Sequence, residues 1–276
     1  GTSLSKGWNI IERFSEDIDL ALDRKLLGFG DLLSKNQIKN LRKASYRFIS
    51  GEFAEMIRSK IKQLNISDFT VKVQEATDSD TDPLNLELVY KSLFGKSDYL
   101  PSRVLIEIGA RSLMEPTEKR QIRSIIASIY SDKDFVDKSI AIQTVLPKRT
   151  FLEKAFLLHE EFQKSADQIR VNRLSRHLYD LDRLKDTIHG LEAIKDIELY
   201  KAIINHRETF NTIRGIDYSK HAPDRIDFVP PESIIKKWES DYASMRESMI
   251  YGESKSFGDL IFSIEELRGR FRKIEL

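Results

Sequence analysis

Gly1-Thr2-Ser3-Leu4-Ser5-Lys6-Gly7 opens the chain, and after five further residues comes Arg13-Phe14-Ser15-Glu16-Asp17-Ile18-Asp19-Leu20. Residues 17–22 alternate polar and apolar with period two, the pattern of a half-buried strand. On a strand, side chains two apart point the same way, so Asp17 and Asp19 share one face while Ile18 and Leu20 are expected in the core. Two carboxylates that close repel unless positive charge lies between them. A pair of divalent cations about 3.5–4 Å apart would supply that charge. Upstream, the small and hydroxyl-bearing residues 1–6 suit a turn that cradles phosphate through backbone N–H groups. A bare Asp-x-Asp is usually a solvated strand face; the preceding turn makes it a candidate metal site.

Outward from this strand the signals alternate. Residues 33–64 read as helix rich in Lys and Arg, with Gly51 a possible break. Strands are expected at 69–74, 84–93, 104–108 and 140–146, with a polar turn at 78–83. After Pro147 the character changes. Residues 149–164 are helical, with Thr150 and Glu153 at capping-box spacing, and helical patterns continue over 165–204. A loop containing Pro223, Pro230 and Pro231 follows at 215–231, then helices at 233–250 and 257–274. The expectation is an α+β fold: a mixed β-sheet domain with flanking helices over 1–146 and an all-helical domain over 147–276.

Composition narrows the chemistry. The 276 residues suffice for a sizeable core, and 45 basic against 44 acidic side chains leave a formal charge of +1. No global field favours nucleic acid, so any such contact must be local. Without cysteine there are no disulfides, thiolate zinc sites or cysteine nucleophiles. The five His show no His-x-x-x-His spacing, so an expected metal is hard and oxygen-ligated, Mg²⁺ by default. No apolar run approaches the roughly 20 residues of a membrane span, and no signal-like start is visible; a cytoplasmic location is expected. The opening Gly1, with no Met, reads as the start of a motif whose native N-terminal segment is missing.

A Gly-and-Ser turn before an Asp-x-Asp strand resembles the polymerase-β-like nucleotidyltransferase superfamily. The full stretch Gly-Thr-Ser-Leu-Ser-Lys-Gly-x(5)-Arg-Phe-Ser-Glu-Asp-Ile-Asp-Leu is similar to the AbiEii/AbiGii toxin family within it. Later segments extend the resemblance. Val104 to Arg111 looks like the family strand with a third acidic position, here Glu107; its bland alternative is a surface glutamate. Leu146-Pro-Lys-Arg149-Thr150-Phe-Leu-Glu153-Lys154 is similar to the family's Pro-x-Arg-Thr-x-x-Glu-Lys segment and implies Lys154 in the active site, with Arg149 a phosphate contact or a fastener between domains. Arg173-Leu-Ser-Arg176-His177-Leu-Tyr-Asp180 resembles the family's helix carrying a cleft aspartate, Asp180. A plain Arg176–Asp180 surface pair remains the alternative, and His177 receives no role. Tyr242, Met245 and Met249 fall at helical spacing and are expected in the core.

The resemblance implies a metal-dependent nucleotidyltransferase. Asp17 and Asp19 would hold Mg²⁺ or Mn²⁺; Glu107, Lys154 and Asp180 would complete the catalytic set. Gly1, Thr2, Ser3, Lys6, Arg149 and Arg176 would bind a nucleoside triphosphate. The implied acceptor is RNA, foremost the 3′ end of tRNA, with Arg111, Lys119, Arg120, Arg123, Arg173 and Arg176 as groove cations. The family also implies a toxin with a cognate antitoxin. Two rival readings remain: nucleotidylation of a protein side chain, and a non-catalytic interaction module of the same fold.

Overall fold

The computed structural model describes the chain except residues 16, 31–32, 76–77, 79–80, 94–100, 112–115, 211–212, 214 and 276. Two compact units form: Gly1–Thr2 with Ser15–Met114, and Ser3–Phe14 with Glu115–Leu276.

The first unit is built on a four-stranded sheet. Its strands are β1 (Asp17–Ala21), β2 (Phe69–Val73), β3 (Leu84–Tyr90) and β4 (Arg103–Gly109), in the order β1-β4-β3-β2. β1 runs parallel to β4, and the other pairs are antiparallel. One face is apolar: Leu84, Leu86, Ile106 and Ile108 are buried with Ile49 and Ala54, and Ile18, Val71, Leu88 and Val104 pack against them. Each buried Leu or Ile contributes about 1.5–3 kcal/mol relative to exposure. A one-residue register slip would drive Glu107 into this core, so the apolar pattern also pins which side the carboxylates occupy.

Two helices cover that apolar face, α1 (Lys35–Phe48) and α2 (Ala54–Gln63), joined by a π-helical turn at Ile49–Phe53 that contains Gly51. Ser34 starts α1 through a reciprocal capping box with Gln37. Ile38, Leu41 and Ser45 form its buried stripe. The expectation for Leu20 is corrected: it is 37% exposed, because β1 is an edge strand and only Ile18 reaches the core. The strand expected over 84–93 ends at Tyr90. Of the turn expected at 78–83, positions 79 and 80 lie outside the described residues.

The second unit carries a hairpin, β5 (Thr117–Ile122) with β6 (Ile140–Val145), enclosing the short helix α3 (Ile125–Ile129). Among the described residues six α-helices follow: α4 (Pro147–Phe162), α5 (Ser175–Leu184), α6 (Ile188–Lys195), α7 (Ile197–Phe210), α8 (Ile235–Ser248) and α9 (Phe257–Phe271). α4 is central, with 12 of its 16 residues buried. Phe156 meets Tyr200 edge-on with ring centroids 4.9 Å apart, and Phe228 meets Phe271 at 5.1 Å. Tyr242, Met245 and Met249 are buried as expected.

This partition begins at Glu115, where the sequence reading placed the boundary at 146. The hairpin is the reason. Arg120 donates through Nε to the Gly7 carbonyl at 2.9 Å and lies 4.4 Å over the Trp8 ring, while Trp8 Nε1 donates to the Val145 carbonyl at 2.9 Å. Strand β5 and helix α3 had no clear sequence signal. The capping box expected at Thr150 and Glu153 does not form. Pro147 sits at the first helical position, with its φ already suited to a helix, so α4 begins two residues before the expected 149, with Leu146 as N-cap. Nor is residue 165 a helix start: Arg173 has φ 63°, and α5 begins only at Ser175.

Candidate active site

In the first unit, the β1–β4 register pairs Asp19 with Glu107 and Asp17 with Leu105. Paired strand residues face the same way, so Asp17, Asp19 and Glu107 stand together on the sheet face opposite the apolar core. Asp19 is 65% exposed in its side chain, and Glu107 is exposed. Asn85, opposite Glu107, and Glu87, opposite Leu105, continue this polar face across β3. Thr2 is tied to the start of β1: its hydroxyl donates to the Asp17 carbonyl and contacts Ser15 Oγ at 3.2 Å.

Among the described residues no three His, Asp or Glu side chains are gathered in a ready metal cage. Two carboxylates are nonetheless a fitting set for Mg²⁺, which is bound through one or two of them and completed by water and substrate phosphate oxygens. The donors on this face are all oxygen, as a hard cation requires.

Behind this strand a second hub holds the unit together. Asp82 accepts from Ser45 Oγ at 2.9 Å, Arg111 Nε at 2.9 Å and the Ala110 amide at 3.1 Å. It thereby fixes α1 to the end of β4 and engages Arg111, expected in an RNA groove, as a structural cation.

The second unit contains a buried charge cluster. Asp180 on α5 is fully buried and accepts a two-pronged contact from Arg13, Nε to Oδ1 at 2.7 Å and Nη2 to Oδ2 at 2.7 Å. Lys154 Nζ on α4 lies 2.8 Å from Asp180 Oδ2 and 3.2 Å from His177 Nδ1. Burial opposes the Asp180 charge, but Arg13 and Lys154 outweigh it and hold its pKa well below the usual carboxylate range. For Lys154 burial prevails over the pull of Asp180, so its pKa is lowered. His177 is pushed well below its ordinary value by burial, then by Lys154 and Arg176. It is therefore neutral, with Nδ1 accepting from the ammonium. Arg13 and Arg176 lie near enough to perturb Lys154 and His177, and Arg173, itself lowered by burial, feels both of these arginines. Several cations thus surround one carboxylate, and the surplus positive charge suits a phosphate.

Several expected residues sit differently from their sequence reading. Asp180 pairs with Arg13 and Lys154 in the interior, not with Arg176 on the surface. Arg173 precedes α5, and its amide donates to Asp241 Oδ1 at 2.6 Å. Arg149 Nε binds Glu153 Oε1 at 2.9 Å, which gives Glu153 a side-chain partner in place of a cap. Ser3 and Lys6 lie in a single π-helical turn, Ser3–Gly7, where Leu4 is fully buried and partial burial lowers the Lys6 pKa. Arg120 is committed to Gly7 and Trp8. Arg13 and His177 were missed as cluster members. Arg13 stood inside the quoted opening motif, but nothing in a linear sequence says that a residue before a strand reaches a helix 167 positions away.

Among the described residues no helix is long and apolar enough to cross a membrane. No curated relative matches the chain. The fold is similar to that of MenT4, a nucleotidyltransferase toxin from Mycobacterium tuberculosis H37Rv, at 17% identity and a TM-score of 0.54, covering 100% of this chain and 74% of that one. The family model described as "Nucleotidyl transferase AbiEii toxin, Type IV TA system" matches residues 1–263. With its mixed sheet, its strand carboxylates and a match over almost its whole length, the chain belongs to the AbiEii nucleotidyltransferase toxin family of type IV toxin–antitoxin systems.

Proposed function

We propose that this enzyme transfers a nucleoside monophosphate from a nucleoside triphosphate to the 3′ end of an RNA, with tRNA the leading acceptor, in the cytoplasm and opposed by a cognate antitoxin. The observation that carries this reading is the pairing of Asp17 and Asp19 on one face of β1 with Glu107 beside Asp19 on β4. Asp17 and Asp19 hold Mg²⁺ or Mn²⁺, which supplies charge neutralisation for the phosphates and a lowered pKa for the attacking hydroxyl.

Gly1, Thr2 and Ser3 bind phosphate through backbone N–H and hydroxyl groups. Lys6, Lys154, Arg149 and Arg176 supply positive charge for the triphosphate. Glu107 takes the proton of the RNA hydroxyl as its oxygen attacks the α-phosphorus. The new P–O bond replaces the bond to the β-phosphate, and pyrophosphate leaves. Asp180 serves as a positioning residue: it fixes Arg13 and Lys154, whose charges are then set before the reaction begins.

Incubation with each of four labelled triphosphates, Mg²⁺, total RNA and total protein tests the reading. Label is expected in RNA, and Asp17→Asn is expected to lower it by more than about 10²-fold, the scale of losing one group that stabilises transition-state charge. Label in protein instead moves the acceptor to a side chain. Unchanged transfer by Asp17→Asn defeats the metal assignment.

A further inference from the structure

Helix α1, Lys-Asn-Gln-Ile-Lys-Asn-Leu-Arg-Lys-Ala-Ser-Tyr-Arg-Phe, contains five cations and no carboxylate. Every other described helix of eight or more residues contains at least one Asp or Glu. In a chain with formal charge +1 this is a local concentration, not a reflection of composition. Lys35, Lys39, Lys43 and Arg47 recur every four residues and are exposed, while Ile38, Leu41 and Ser45 face the interior. At 1.5 Å per residue the stripe extends about 18 Å. Lys35, Lys39 and Lys43 enter no ion pair among the described residues.

The fold gains little from this arrangement: only Arg47, in the last turn, suits the helix dipole. Like charges at i,i+4 each cost a few tenths of a kcal/mol. Lys35 also stands at the positive end of the helix dipole, where an acidic residue would stabilise. The Ser34–Gln37 capping box supports a helix that its charges work against. A feature that opposes folding and sits on the surface calls for an anionic partner.

We infer that the exposed face of α1 is a docking surface for the phosphate backbone of the RNA acceptor, an inference that rests on the RNA reading above. Its exposed positions hold hydrogen-bond donors throughout, Lys35, Asn36, Lys39, Asn40, Lys43 and Arg47 among them, the residue types that contact phosphate and sugar without reading bases. An anionic membrane fits poorly, because this face offers no apolar side chain to enter the lipid interface. The buried side of the same helix layer packs on the sheet face opposite Asp17 and Asp19. The stripe therefore grips the body of the acceptor and leaves the reacting hydroxyl to other residues.

The test is binding of total tRNA to the full chain and to K35Q/K39Q/K43Q across 50–200 mM salt, with K35R/K39R/K43R as the charge-preserving control. The glutamine variant is expected to bind more than about tenfold more weakly at 50 mM salt, and its log–log salt slope to be flatter by about 2–3, one step per lost phosphate contact. Its KM for tRNA rises, its KM for triphosphate and its kcat stay unchanged, and the arginine variant binds like the parent. Circular dichroism checks that α1 remains helical in both. If the parent binds and labels tRNA but the glutamine variant matches it in affinity and slope, the docking surface is overturned while the RNA reading stands. If the parent binds tRNA through these lysines yet labels only protein, the acceptor reading falls, and the inference that this face docks the acceptor falls with it. No tRNA binding by the parent, or α1-dependent capture of phosphatidylserine vesicles in its place, overturns the docking surface.

Discussion

Asp180 shows what one residue can organise. It is buried completely and is charged only because Arg13 and Lys154 are there. Removing it leaves two cations in the interior with no counter-charge, a situation that costs about 3–5 kcal/mol. Asp180→Asn is therefore expected to lower stability by that amount at pH 7, measured by denaturant unfolding. The pH dependence has a definite sign. The folded pKa of Asp180 is depressed, so its stabilisation is fully present above the unfolded value of about 3.9 and is lost as pH falls below it toward the folded value. The asparagine variant should accordingly lose less stability than the parent between pH 4 and lower pH. An identical acid limb in both proteins would show that the carboxylate is not held by these cations.

At the scale of elements, α5, which carries Asp180, ends in close contact with the start of α6. Thr187 caps α6, accepting from the Gly190 amide at 3.2 Å. A Cβ on Gly190 would lie 2.3 Å from the Leu184 carbonyl oxygen and 3.0 Å from Lys185 Cα. These are backbone atoms of the α5 terminus, so they cannot swing aside. Gly190→Ala, which ordinarily favours a helix, should here destabilise by about 1–3 kcal/mol through overpacking, read as a lowered Tm. A neutral or stabilising result would mean that α6 shifts freely against α5. The period-two and period-3.6 patterns located most strands and helices, because each is a local property of side chains that must face one core. β5 and α3 escaped because their side chains are largely exposed, leaving no apolar rhythm to detect.

For the whole molecule, binding of metal and triphosphate should show as added stability of the native state. A ligand that binds the native state at about 100 times its Kd adds about 2.7 kcal/mol of stability. Triphosphate with Mg²⁺ is expected to raise the Tm of the parent accordingly. Excess chelator should abolish the rise, and Asp17→Asn should not show it. A full Tm shift in the presence of chelator would remove the metal from triphosphate binding. The division of the chain at Glu115 also belongs to this scale. Proline and composition marked a change at 147, but the hairpin's allegiance is decided by Arg120 and Trp8, whose contacts span over a hundred residues.

The sequence alone determined the face shared by Asp17 and Asp19, since strand geometry makes residues two apart coincide whatever surrounds them. It also determined the mixed sheet followed by helices, because the chain's apolar periods change after Pro147. Tertiary structure decided the rest. Which strand neighbours β1, and so brings Glu107 beside Asp19, is a matter of sheet order. That Asp180 lies inside with Arg13, Lys154 and His177, and not on a surface with Arg176, follows from packing α4 against α5. Partners of a buried charge are chosen by desolvation, which a linear spacing does not encode.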